Sequence, residues 1–222
     1  MFSNMPKDNS RLYLKLLLRK SLLALAAVEK NAALDLFAGK GELARRIYLD
    51  FRELHLVEKD PQQFSRLEAG FAGHAAARTW KMDNRKFLRE KLPGLSGLDL
   101  VDFDAYGSPN LQIQWFFAHF QVKKPLLVFA TDGGILSQIR GGGFAPDLYL
   151  AGGLAGPASF DPEKAGARAS GYERIIYRNY ERLIRGFWDE LAKRHNFRIE
   201  LFKLIEKKGG QVTYYGAIIE PR

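Results

Sequence analysis

The sequence of 222 residues contains no cysteine. This absence excludes disulfide bonds, thiolate metal ligands and cysteine nucleophiles, and it is compatible with a reducing compartment, so we expect a cytoplasmic protein. The chain also has no apolar run of the roughly 18 residues that a membrane-spanning helix needs, and we expect no membrane partner. Its four histidines have no spacing with acids that suggests a metal site, so we expect no metal cofactor.

Positive charge is present in excess, with a formal net charge of +9, and it lies at the two ends of the chain. Residues 1–30 carry six Lys and Arg against two Asp and Glu, and residues 163–222 carry thirteen against eight, whereas residues 31–162 are balanced. Basic flanks favour a phosphate-rich partner, because Lys and Arg displace its counterions. Ordinary solubilising charge is the alternative interpretation.

Apolar runs alternate with helical patterns in the rhythm of βαβ units, which predicts one α/β domain over residues 1–222 with a mostly parallel sheet. A basic N-terminal helix within residues 1–30 precedes the first strand. A glycine-rich loop is predicted over 133–171, either a lid that orders on RNA or a surface loop without function. The predicted strands are Ala33–Phe37, Leu54–Glu58, Arg78–Met82, Leu98–Phe103 and Pro125–Ala130, followed by a hairpin of Arg198–Ile205 and Val212–Ile219. The predicted helices are Arg11–Glu29, Glu42–Asp50, one from Pro61, Asn84–Lys91, Leu111–Phe120 and Tyr172–His195.

The first strand meets the following helix in a glycine turn that is suited to a cofactor. Gly39 and Gly41 let the backbone approach a ligand at the start of a helix, but this spacing also fits a dinucleotide site with Glu58 on the ribose. Asp35 lies inside the apolar strand and needs a cationic or hydrogen-bonded partner, such as the ammonium of a methionine moiety. Phe37 is a further cofactor candidate, although a core position is the stronger interpretation.

Acidic residues follow three successive strands. Asp35, Glu58 and Asp83 form this series, and Asp83 with Asn84 is placed to bind an adenine amine and ring nitrogen. The series and the terminal hairpin resemble class I methyltransferases that use S-adenosylmethionine. The resemblance implies a Rossmann-like α/β fold with a mostly parallel seven-stranded sheet, an antiparallel end hairpin and an N-terminal helix.

The fourth strand ends in residues suited to methylation of an amine. An exocyclic amine of a nucleobase is a poor nucleophile, and its N–H groups need acceptors, which Asp104 and the backbone carbonyl of Ala105 provide, while Tyr106 can stack on the base. The segment Val101–Pro109, followed by Ala130-Thr131-Asp132, resembles the tRNA guanine-N2 methyltransferase family. The resemblance implies that Asp104 is the catalytic carboxylate and Tyr106 the stacking aromatic, with Asp132 as a substrate contact or a loop organiser.

Two departures from that family concern the substrate. Ala105 and Tyr106 replace its Pro and Phe, and no match to its additional C-terminal RNA-binding domain is found. On the last predicted helix, four arginines are aligned in a stripe along one face and can follow a phosphate backbone. The alternative interpretation is a solvated helix on which acidic neighbours partner some of these arginines. The stripe consists of Arg174, Arg178, Arg182 and Arg185.

The sequence therefore predicts an S-adenosylmethionine-dependent RNA methyltransferase, an N-methyltransferase that acts on guanine N2 in tRNA processing. Three alternatives stay open at this point: an amino-methyltransferase of DNA or another nucleic acid, a small-molecule methyltransferase, and a non-catalytic nucleic-acid-binding protein that has the same fold.

Overall fold

A computed structural model describes residues 12–134, 146–149, 179–206 and 212–222. One sheet runs through the chain, and its strands are β1 Ala32–Asp35, β2 Glu53–Glu58, β3 Ala77–Lys81, β4 Leu98–Asp104, β5 Leu126–Asp132, β6 Phe197–Glu206 and β7 Thr213–Pro221. The α-helices are α1 Leu12–Leu25, α2 Glu42–Ile47, α3 Pro61–Phe71, α4 Asn84–Glu90, α5 Asn110–His119 and α6 Tyr180–Arg194. Two short 3-10 helices cover Leu92–Gly94 and Pro146–Tyr149.

The strand order in the sheet is β3-β2-β1-β4-β5-β7-β6. Strands β1 to β5 are parallel, and β7 enters antiparallel between β5 and β6. The prediction of a mostly parallel seven-stranded sheet with an antiparallel end hairpin is therefore confirmed. Strand β1 lies between β2 and β4. The chain therefore adds β2 and β3 on one side of β1 and then β4 and β5 on its other side, so the order of the strands reverses between β1 and β4.

Helices cover both faces of the sheet. One face packs on α4, α5 and α6 through residues such as Phe116 and Trp188, and the other packs on α1, α2 and α3 through residues such as Leu22 and Leu67. Burial on both faces explains why β5 has a nearly continuous apolar sequence, as parallel strands usually do. Strand β4 is buried to the same extent but also carries Asp99, Asp102 and Asp104.

Two of the predicted element boundaries are wrong for identifiable reasons. Strand β5 continues to Asp132 instead of ending at Ala130, because Thr131 and Asp132 pair with the antiparallel strand β7. Helix α1 ends at Leu25 instead of Glu29, and Lys30 then adopts a left-handed backbone conformation, with φ of 56°. Residues 172–178 of the predicted last helix lie outside the described residues.

Helix α1 buries two of its cations against the sheet. Arg19 is fully buried and donates from Nε and Nη2 to the two carboxylate oxygens of Asp102, both at 2.7 Å, while its guanidinium carbon lies 5.4 Å from the ring centre of Phe129. Tyr48, the residue that follows α2, also donates to Asp102. Burial of either charge alone is costly, so this pair fixes the position of α1. Lys15 and Arg19 are therefore not part of the basic surface that the charge count predicted for the N-terminal region.

We predict that Arg19→Met destabilises the protein by about 3 to 5 kcal/mol, because it leaves the Asp102 carboxylate buried without its counter-charge. Urea unfolding at neutral pH measures the change. The neighbouring Lys20 is exposed, and Lys20→Met removes the same charge at a cost within about 0.5 kcal/mol. Adding Asp102→Asn to Arg19→Met recovers part of the loss. Equal stabilities of the two single variants would contradict the assignment.

Candidate functional site

Acidic side chains gather at the carboxyl edge of the sheet. Asp35 and Asp104 end the adjacent strands β1 and β4, and Glu58 ends β2. The chain leaves β1 toward α2 on one face and leaves β4 toward α5 on the opposite face. This divergence opens a crevice above the two strands, which is where open α/β sheets bind ligands.

The glycine turn after β1 has the backbone geometry that its residues predict. Gly39 and Gly41 have φ of 54° and 79°. A Cβ on Gly41 would lie 2.5 Å from the Phe71 ring, so glycine there permits the packing of α3. A Cβ on Gly39 would meet nothing within 4 Å, so that side of the turn faces open space. The Gly39 amide donates to Glu58 at 2.9 Å, and this bond ties the turn to β2.

Asp35 is a carboxylate buried in this turn, with 2% of its surface exposed. It accepts the Phe37 amide at 3.0 Å, and the described part of the chain places no ion-pair partner on it. Burial raises the pKa of Asp35 well above its usual value, and the nearby Asp102 raises it further. Such a group favours a cationic ligand, which would supply the missing counter-charge. Phe37 itself is half-buried and packs against the core.

The residues predicted to bind adenine lie where β3 meets α4. Asp83 caps α4 by accepting the Arg85 amide at 2.9 Å, and Asn84 accepts Gln112 Nε2 of α5 at 3.5 Å. Sequence reasoning missed Gln112. Gln112 lies in the first turn of α5, the helix that follows β4. Because that turn begins at the carboxyl edge of the sheet, its position in the sequence could have indicated a site residue.

Asp104 is held by cations from α1, which sequence reasoning also missed. Lys15 Nζ lies 2.8 Å from each carboxylate oxygen, Thr131 donates its hydroxyl, and the Arg19 guanidinium is 3.9 Å away. Burial acts to raise the pKa of Asp104, but Lys15 and then Arg19 outweigh it, so the pKa is lowered. Asp104 is therefore ionised at neutral pH. The available signal was the helical spacing of Lys15 and Arg19 with Leu18 and Leu22, which places both cations on the apolar face.

The loop after β4 exposes one aromatic ring at this edge. Ala105 is buried, whereas Tyr106 is 96% exposed. The loop after β5 packs tightly against this segment: Gly133 donates its amide to the Gly107 carbonyl at 3.0 Å, and a Cβ on Gly133 would lie 2.5 Å from the Tyr106 carbonyl oxygen.

Asp132, at the end of β5, is fully buried among neutral donors. It accepts the Gly134 amide at 2.8 Å and the Tyr149 hydroxyl at 2.9 Å, and Ser108 of the β4 loop is 3.5 Å away. The Tyr149 hydroxyl in turn lies 2.7 Å from that of Tyr180. Burial outweighs these donors and raises the pKa of Asp132 to about 6. These are the contacts of a loop organiser.

The arginine stripe is described only in part. Arg174 and Arg178 lie outside the described residues, as does most of the predicted 133–171 loop. Arg182 is exposed on α6. Arg185 pairs with Glu181 at 2.9 Å and lies 5.0 Å from the ring centre of Phe202, so an acidic neighbour partners it, as the alternative interpretation of the stripe expects.

Comparison with known proteins gives matches only at the level of structure. No family model and no curated protein matches the sequence. Trm1 from Pyrococcus horikoshii, solved with S-adenosyl-L-methionine, matches with a TM-score of 0.64 at 12% identity, over 96% of this chain and 56% of that one. TYW2 from M. jannaschii, solved with AdoMet, matches with a TM-score of 0.53 at 13% identity, over 94% and 76%. A Klebsiella pneumoniae protein provisionally assigned as an O-methyltransferase matches with a TM-score of 0.54 at 15% identity, over 97% and 84%.

These likenesses establish the fold, which is the Rossmann-like fold of class I methyltransferases. Among the described helices, none has the length and apolarity needed to cross a membrane. Within the same part of the chain, no group of three or more acidic or histidine side chains is arranged to hold a metal ion.

We predict that Asp132→Asn reduces the pH dependence of stability. The pKa of Asp132 is about 6 in the fold, against about 3.9 when unfolded. This group therefore contributes stability that is complete below pH 4 and is lost as the pH rises through 6. Between pH 4.5 and pH 7, the wild type should lose roughly 2 kcal/mol more than the variant. Urea unfolding at pH 4.5 and pH 7 measures both, and equal losses would refute the prediction.

Proposed function

We propose that the chain is an S-adenosylmethionine-dependent N-methyltransferase whose acceptor is the exocyclic amine of a nucleobase, specifically guanine N2 in tRNA. The observation that carries this proposal is the ionised carboxylate of Asp104 at the crevice edge, beside an exposed Tyr106 and next to the strand that carries Asp35. The bound ligands of the Trm1 and TYW2 structures support the choice of cofactor.

The crevice residues fit this cofactor. Asp35 would bind the ammonium of its methionine moiety, because the buried carboxylate lacks a counter-charge among the described residues. The open side of Gly39 admits the ligand to the backbone. Glu58 would accept the ribose hydroxyls, since each of its oxygens accepts one backbone amide and retains a second lone pair. Asp83 and Asn84 would bind the adenine edge, and the cofactor supplies a methyl group activated by a sulfonium.

Asp104 and Ala105 would prepare the amine for attack. The ring delocalises the lone pair of an exocyclic amine, and acceptors that hold its two N–H groups localise that pair on nitrogen. Asp104 accepts one N–H and the Ala105 carbonyl the other. The bound cofactor would supply the methyl group to that nitrogen from its sulfonium, and Asp104 would take the excess proton from nitrogen and pass it to water. Tyr106 would stack on the base, which must leave its helix or come from a loop.

Transfer of label from S-adenosylmethionine to separate pools of unmodified tRNA, ribosomal RNA and DNA tests this function. N2-methylguanosine in the tRNA pool, identified by mass spectrometry, is the expected product. We predict that Asp104→Asn lowers this transfer at least about 100-fold while cofactor affinity stays within about twofold, because the group acts on the amine.

The control for that variant is Asp50→Asn, which removes an exposed carboxylate distant from the crevice and should leave transfer unchanged. Label in DNA alone would identify DNA, instead of tRNA, as the substrate and would contradict that part of the proposal. Label in none of the pools, or parallel loss of cofactor binding in Asp104→Asn, would contradict the proposal.

A second prediction concerns protons taken up or released with the cofactor. Since the pKa of Asp35 is raised in the free protein and a bound ammonium lowers it, binding of S-adenosylhomocysteine should release up to about one proton and tighten as the pH rises toward the raised pKa of the free protein. Calorimetric titration in two buffers of different ionisation enthalpy counts the protons. Asp35→Asn should abolish the difference between buffers, and a difference that survives in this variant would assign the proton to another group.

A further inference from the structure

Lys15 is a cation in the crevice to which the proposed reaction gives no task. Its side chain is 10% exposed, and its ammonium lies 2.8 Å from both oxygens of Asp104 and 5.9 Å from the ring centre of Tyr214. The proposed methyl transfer needs the Asp104 carboxylate, not its counter-ion. The position of Lys15 therefore calls for a separate explanation.

Anchoring of α1 does not require Lys15. Arg19, one turn further along the helix, binds Asp102 through two hydrogen bonds, and Leu18 and Leu22 are buried beside it. The contact between Lys15 and Asp104 is partly open to solvent, with side-chain exposures of 10% and 13%, whereas both partners of the Arg19 pair are fully buried. Lys15 is thus the cation that can be replaced without removal of the anchor.

The contacts of Asp104 leave space for one more donor. A carboxylate offers about four acceptor directions, two on each oxygen. Thr131 and Lys15 occupy those of Oδ1, and Lys15 occupies one of those of Oδ2. The described residues leave one direction on Oδ2, which suffices for a single N–H of an incoming amine.

We propose that Lys15 determines the class of acceptor: it neutralises Asp104, so that the pocket accepts an uncharged amine on an aromatic ring and rejects an alkylammonium. This inference rests on the proposed function. It assigns the choice of acceptor in that function to Lys15, a positioning residue that acts through Asp104.

The physical basis is the charge of the pocket. An alkylamine is protonated at neutral pH, like the lysine side chain itself, and it would lie next to the Lys15 ammonium, where like charges repel. An amine on an aromatic ring is uncharged and needs only the free acceptor direction. Without Lys15, the Asp104 carboxylate would attract a cation, because Arg19 at 3.9 Å is already committed to Asp102.

Aniline and benzylamine form a matched pair of probes, because they differ by one methylene while only benzylamine is cationic at pH 7. Binding of each is measured by NMR titration of the Ala105 and Tyr106 amides, with S-adenosylhomocysteine present and no RNA. The wild type should bind aniline in preference to benzylamine. In Lys15→Met, the affinity for benzylamine should rise at least about tenfold, while that for aniline changes less than about threefold.

Two further variants separate specificity from a structural role. Lys15→Arg keeps the charge and should retain the wild-type preference, and Lys20→Met removes an exposed charge of the same helix and should also retain it. Benzylamine binding that is unchanged in Lys15→Met, or a wild type that prefers benzylamine, would overturn the inference. If Lys15→Met does not fold, the inference can still be contradicted by a wild type that prefers benzylamine to aniline, or by a Lys15→Arg variant that loses the wild-type preference. Because no methyl transfer is measured, this result is independent of whether tRNA is the substrate.

Discussion

The bidentate ion pair between Arg19 and Asp102 is the constraint on which the arrangement of the crevice depends. It joins α1 to the middle of the sheet at full burial, where a single unpaired charge would be costly. Asp102 and Asp104 are two residues apart on β4 and point to the same face, so the helix that pairs with one also delivers Lys15 to the other. The low pKa of Asp104, the proposed catalytic carboxylate, therefore depends on the packing of α1 against the sheet.

The charges between α1 and the ends of β1 and β4 are nearly but not fully balanced. Three carboxylates, Asp35, Asp102 and Asp104, face two cations, Lys15 and Arg19, and Asp35 is the group left without a counter-charge among the described residues. A site with one excess carboxylate next to an open glycine turn is prepared for a single positive ligand. Asp132, on the neighbouring strand, has only neutral donors and belongs to the packing of the loops rather than to this balance.

The sequence was sufficient to predict the sheet, its terminal hairpin and the strand ends that carry acids, because these depend on local patterns and on the rule that parallel strands end at one edge. The sequence was insufficient to predict the buried ion pairs of Lys15 and Arg19. A charge count includes every lysine and arginine, whether its side chain points to solvent or toward the sheet. The end of β5 was missed because Thr131 and Asp132 are strand residues through pairing with distant segments. Thr131 pairs with Asp104 of β4, and both residues pair with β7, some eighty positions later. The role of Asp132 likewise depends on Tyr149 and Tyr180, which no spacing in the sequence connects to it.

The packing of α1 also has a consequence for the order in which the protein is built. Lys15 lies near Tyr214, on the strand that closes the described chain, so an early helix completes its surroundings only when β7 has paired with β5. Pairing between such distant segments is slow, because a long stretch of chain must be closed into a loop before the contact forms. While a ribosome is still synthesising the last strands, the nascent chain can already contain the glycine turn and β4, but the full enclosure of Lys15 awaits β7. The proposed contribution of Lys15 to acceptor recognition is thus complete only once β7 has been synthesised, after the elements proposed to bind the cofactor have formed.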